Sequence, residues 1–122
     1  QHREDHSMNA KAELSWVPVC ELDDLLTNVG VCAKVADRQV AIFKIADQGK
    51  TTLYAIDNHD PFSKANVLSR GIVGDLKGHN VVASPIYKQH FCLETGKCLE
   101  EDTQIPVYKV RENAGKVEVF LG

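Results

Sequence analysis

The feature that most constrains this chain is a change of hydrophobic period at Val31. From there apolar residues recur at every second position. Val31, Ala33 and Val35 alternate with Cys32 and Lys34. Val40 and Ile42 then point one way with Lys44, while Ala41, Phe43 and Ile45 point the other. A period of two belongs to strands, whose successive side chains face opposite sides. Residues 36–39 interrupt the alternation and predict a β-hairpin. Gln48-Gly49-Lys50 marks the next turn, before a β-branched and aromatic strand at 51–56.

Turn signals continue at short intervals to the end of the chain. Lys77-Gly78 precedes a short strand at 80–83. Glu94-Thr95-Gly96 separates 89–93 from 97–99, and Asn113-Ala114-Gly115 separates 105–111 from 116–121. The pattern predicts an all-β fold, an antiparallel sandwich or barrel of about nine or ten short strands. Before Val31, Trp16-Val17-Pro18-Val19 reads as extended, because Pro18 disfavours helix. Leu22, Leu25 and Leu26 have helical spacing but room for only a turn or two. A three-residue turn at 94–96 would set Cys92 opposite Cys98, slightly too far apart for an unstrained disulfide.

At 122 residues the chain is expected to form one domain. We read 1–7 as left over from expression, 8–13 as a flexible N-terminus and 14–122 as the domain. Net charge is −3 with both signs interspersed, so neither nucleic acid nor an anionic membrane is a natural partner. No apolar run reaches the roughly 18 residues of a membrane span, and no secretory h-region is visible. These features fit a cytoplasmic protein with reduced thiols. Cys20, Cys32, Cys92 and Cys98 form no C-x-x-C pair and read as free, buried or half-buried.

The most specific features are two Pro-bearing loops, each following a strand. The first runs Asp57-Asn58-His59-Asp60-Pro61-Phe62. The second runs Ala83-Ser84-Pro85-Ile86-Tyr87-Lys88, leading to His90-Phe91-Cys92 and the Thr95-Gly96 turn. This layout resembles a Rieske domain, in which a C-x-H loop and a C-P-x-H loop hold a [2Fe–2S] cluster. Aligned loop by loop, the four ligand positions fall on Asn58, Asp60, Ser84 and Tyr87. An amide, a carboxylate, a hydroxyl and a phenol do not replace thiolate and imidazole donors.

Asp60-Pro61-Phe62, Val67-Leu68-Ser69-Arg70-Gly71 and Val82-Ala83-Ser84-Pro85, together with Gln39-Val40-Ala41-Ile42-Phe43, are similar to the small subunit of assimilatory NAD(P)H-dependent nitrite reductase. The likeness covers about residues 14–122. It implies a Rieske-like domain without cluster ligands, an accessory chain of an oxidoreductase that reduces nitrite to ammonium in nitrate and nitrite assimilation. It also implies a large catalytic subunit as partner, carrying FAD, a [4Fe–4S] cluster and sirohaem. The isolated chain is expected to be inactive, with no catalytic, cofactor-binding or metal-ligating residue of its own. A stand-alone β-sandwich module with an unknown ligand is the alternative.

The residues themselves support modest roles. His59, His79 and His90 lack a second ligand at metal spacing. Asp57 and Asp60 are close enough for acid–base work, but Asp60 before Pro61 is more simply a turn initiator. Phe62 either fills the former cluster volume or joins a docking patch. Arg70 could pair with Asp57 or Asp60, or meet a partner. Asp60, Phe62, Ile86, Tyr87 and Lys88 are the candidate docking residues.

Overall fold

The computed structural model describes residues 16–47 and 49–120. The N-terminal assignments at 1–7 and 8–13 lie outside the described residues. Eleven strands follow in order: β1 Trp16–Glu21, β2 Val31–Val35, β3 Arg38–Asp47, β4 Lys50–Asp57, β5 His59–Asp60, β6 Ala65–Asn66, β7 Ile72–Leu76, β8 His79–Ala83, β9 His90–Cys92, β10 Val107–Asn113 and β11 Lys116–Phe120. The all-β expectation holds, with slightly more strands than the periodicity predicted. The leucine-rich segment forms a single 3₁₀ turn at Leu22–Asp24, and a second lies at Leu68–Arg70.

Six strands form one antiparallel sheet in the order β1-β11-β10-β4-β3-β2. A three-stranded sheet β7-β8-β9 and the small pair β5-β6 complete the fold. β3 is the central wall. Val40 and Ile42 enter one core with Leu25, Val35, Ala55, Val117 and Val119. Ala41, Phe43 and Ile45 enter the other, with Ile56, Leu68, Val82, Phe91 and Leu93. Both faces of β3 are therefore buried, which explains why its residues 40–43 are all apolar. The second core joins the three-stranded sheet to the large one and forms the base of both loops.

One register expectation is wrong. Phe91, not Cys92, bridges Cys98. The Cys92 N–H donates to Lys97 O at 2.8 Å and the Gly96 N–H to Cys92 O at 2.7 Å, so the turn spans 93–96. Leu93 is held in the core at 1% exposure on the same side as Phe91, and its N–H donates to Asn80 O at 2.9 Å, so it belongs to the turn and cannot pair with Lys97. A one-residue slip sends neighbouring side chains to opposite faces. Cys92 Sγ lies 3.9 Å from His79 Nδ1, while Cys98 Sγ lies 3.7 Å from Glu100 Oε1. All four cysteines are free; Cys92 and Cys98 are buried and Cys20 is half-buried, but Cys32 is exposed, against expectation.

Candidate functional site

The two Pro-bearing loops meet at one end of the fold. The first leaves β4, passes through β5 and β6 and ends in the 3₁₀ turn at Leu68–Arg70. The second connects β8 to β9. Ser84 closes the second loop on itself. Its N–H donates to Gln89 O at 2.9 Å, its carbonyl accepts the Lys88 N–H at 3.1 Å, and its Oγ accepts the Ile86 N–H at 3.2 Å.

Three of the four positions aligned with cluster ligands are deeply buried. Asn58 is 1% exposed, and Asp60 and Ser84 are 0% exposed. Ser84 Oγ donates to Asp60 Oδ2 at 2.5 Å, tying the loops together. Asp60 Oδ2 also accepts from Ser63 Oγ at 2.9 Å, and Oδ1 accepts the Phe62 N–H at 3.0 Å. Asp60 is thus the expected turn initiator and also a cross-link between loops. Burial alone would push its carboxyl up. The donors from Ser84, the Phe62 amide and Ser63 outweigh that and hold it below the usual carboxylate range.

Asn58 makes a second junction. Its Oδ1 accepts the Ser69 N–H at 2.7 Å, which fixes the amide orientation. Its Nδ2 donates to Asn66 O at 3.1 Å and Gln39 Oε1 at 3.2 Å, and lies 3.4 Å from Cys32 Sγ. The hairpin residues Cys32 and Gln39 therefore brace the first loop. Neither was singled out for this from the sequence, because the two partners lie 26 and 19 residues from Asn58.

The fourth position differs. Tyr87 is 59% exposed, and Ile86 beside it is 47% exposed. Lys88 is exposed and its Nζ donates to Pro85 O at 3.3 Å. Phe62 is half-buried, with its ring centroid 6.0 Å from that of Phe91 at the edge of the core. The candidate docking set therefore divides: Ile86, Tyr87 and Lys88 present surface, Phe62 presents part of one, and Asp60 presents none. Asp57 Oδ1 accepts the His59 N–H at 3.4 Å, whereas the Asp60 carboxylate is bonded to Phe62, Ser63 and Ser84, so the two carboxylates have no hydrogen-bond partner in common among the described residues. Arg70 is exposed and forms no ion pair among the described residues.

His59 and His90 have separate partners. His59 Nδ1 meets Asn66 Oδ1 at 3.0 Å, and His90 Nδ1 meets Glu100 Oε2 at 2.6 Å. Burial would raise the Glu100 carboxyl, but the His90 amide and imidazole and the Cys98 thiol together hold it below its ordinary value. Among the described residues, no three His, Cys, Asp or Glu side chains are grouped to hold a metal ion.

The residues present do not fit a [2Fe–2S] cluster. A buried carboxylate and hydroxyl already spend their capacity on each other and on loop amides, and neither is a soft donor. What the arrangement can do is hold two loops rigid while displaying Ile86 and Tyr87.

Comparison with known proteins agrees with this scaffold. Residues 15–120 match the family model of the Rieske-like [2Fe-2S] domain. The NADH nitrite reductase small subunit of Escherichia coli K12 is 40% identical over 105 residues, covering 85% of this chain and 95% of that one. A solution structure of the nitrite reductase [NAD(P)H] small subunit from Erwinia carotovora superposes with a TM-score of 0.73 at 42% identity, covering 88% of this chain and 82% of that one. The nitrite reductase [NAD(P)H] large subunit of Klebsiella oxytoca contains a similar stretch, 40% identical over 105 residues, covering 85% of this chain and 11% of that one. The chain belongs to the Rieske-like domain family, among the small subunits of NAD(P)H-dependent nitrite reductase.

Proposed function

We propose that this chain is the accessory, non-catalytic small subunit of an NAD(P)H-dependent nitrite reductase. The observation that carries the reading is the 40% identity running through 95% of the Escherichia coli small subunit. The large subunit of that complex would carry FAD, a [4Fe–4S] cluster and sirohaem, and would perform the reduction of nitrite to ammonium in the cytoplasm. This chain supplies a rigid binding surface. The Klebsiella oxytoca relative supports physical association, since there a similar domain occupies 11% of a chain named as the large subunit. Covalent linkage of that kind raises the effective concentration of one module near another. No helix among the described residues is long and apolar enough to cross a membrane.

The contact surface in this reading is the exposed rim of the second loop. Ile86 and Tyr87 offer apolar and aromatic area, Lys88 offers a polar edge, and Phe62 adds half-buried support. Loops on a rigid β scaffold are where binding groups concentrate.

The test is purification of the chain without oxygen, followed by iron and acid-labile sulfide analysis and assays for NADH oxidation and nitrite reduction. We expect a colourless, inactive chain that binds the cofactor-loaded large subunit. Stoichiometric iron and sulfide, or nitrite turnover by the chain alone, would overturn the reading.

A further inference from the structure

Among the described residues, six large apolar side chains are exposed: Leu26, Val29, Ile72, Ile86, Tyr87 and Val107. Two of them, Val29 at 50% and Ile72 at 69% exposure, line a cleft of about 460 Å³ beside the loops. Its floor is backbone held in close approach. A Cβ on Gly30 would stand 2.4 Å from Ser69 O and 2.6 Å from Phe43 Cε2, and one on Gly71 would stand 2.3 Å from Ala83 O. Only glycine permits these segments to meet so closely. The cleft is therefore a fixed feature of the packing, pinned by Phe43 at the core.

Arg70 lines the same cleft. Its guanidinium makes no salt bridge or side-chain hydrogen bond among the described residues, in a chain of net charge −3. The cleft thus offers two apolar walls and an uncommitted planar cation. It is also continuous with the loops. Ile72 pairs with Ala83, the residue before Ser84, and the Ser69 N–H donates to Asn58 Oδ1 at 2.7 Å.

Resting on the accessory-subunit reading, we propose that this cleft receives a segment of the large subunit in which an apolar side chain lies next to a carboxylate. The apolar side chain sits between Val29 and Ile72, and the carboxylate takes the forked donors of Arg70. Arginine suits this role because its planar guanidinium matches a carboxylate with two parallel hydrogen bonds. The interface then runs from Tyr87 and Ile86 along the flank to Val29.

The test is calorimetric titration of the cofactor-loaded large subunit with the full chain and with Arg70→Glu and Ile72→Ser, using circular dichroism melting as the folding control. Both positions are exposed, so both variants should melt like wild type. Arg70→Glu should weaken binding about tenfold or more and remove much of its salt dependence, and Ile72→Ser should weaken it by roughly fivefold. Wild-type binding with both variants within about twofold of it would overturn the cleft and leave the accessory reading standing. No binding by wild type would overturn the accessory reading and the cleft with it. Sedimentation of the chain alone provides the remaining arm. Self-association that Arg70→Glu abolishes, with large-subunit binding unchanged, would assign the cleft to a second copy and overturn the proposal.

Discussion

The four positions that align with cluster ligands divide into two regions with opposite physical roles. Asn58, Asp60 and Ser84 are buried and make hydrogen bonds that join the first loop to the second, to β3 and to the 3₁₀ turn at Leu68–Arg70. Tyr87 is exposed and anchors no such junction among the described residues. Two loops held by a metal cluster share a covalent cross-link. Here a hydroxyl–carboxylate bond and a four-way amide junction take that place. The buried region should therefore govern stability, and the exposed rim should govern association. Substitutions at the two regions should therefore separate stability from association.

The largest expected effect is at Asp60. Asp60→Ala removes the acceptor for Ser84 Oγ, Ser63 Oγ and the Phe62 N–H, leaving one buried and two part-buried donors without that partner. The cost should be about 3 kcal/mol in urea denaturation, as for other broken buried charge networks. A loss below about 0.5 kcal/mol, typical of a surface site, would show that the cross-link is not structural.

Ser84→Ala should cost less, about 1.5–2 kcal/mol, because the Phe62 and Ser63 donors to Asp60 remain. Its effect should also depend on pH. The Asp60 carboxyl is held below its ordinary value, so its contribution is complete above the unfolded pKa of about 3.9 and is lost as pH falls through the folded value. Removing the Ser84 donor raises the folded pKa towards the unfolded one. The stability gap between wild type and Ser84→Ala should be full above roughly pH 5 and should shrink on acidification. A gap that is constant from pH 3 to pH 7 would remove Asp60 ionisation from the account.

Much of this was legible in the sequence. Hairpins β2–β3 and β10–β11 were visible because alternation and turn residues act locally, over a few neighbours. The strands β5 and β6 were not, since two residues carry no period. The Cys92–Cys98 register failed because the turn takes in Leu93, which the core and Asn80 of β8 hold in place and which the local turn residues do not mark. Loop spacing located Asn58, Asp60, Ser84 and Tyr87, but not which of them would be buried. The contacts of Asn58 with Cys32 and Gln39, and the cleft between Val29 and Ile72, depend on distant segments meeting. Nothing local to Val29 or Ile72 marks either as the wall of a cleft.

If the exposed rim binds the large subunit while the buried residues hold it in place, truncating the rim should weaken association and spare the fold. Wild type, Tyr87→Ala and Lys116→Ala are titrated into the cofactor-loaded large subunit by calorimetry, after circular dichroism has shown each to be folded. Lys116 is the control because it lies beyond the end of β10 opposite Pro106, whose carbonyl accepts the Asp57 N–H beside the first loop. Tyr87→Ala should melt like wild type yet lose about thirtyfold in affinity, the loss expected for a buried interface tyrosine, while Lys116→Ala should bind like wild type. Unchanged binding by Tyr87→Ala with weakened binding by Lys116→Ala would place the contact at the other end of the fold and contradict the claim.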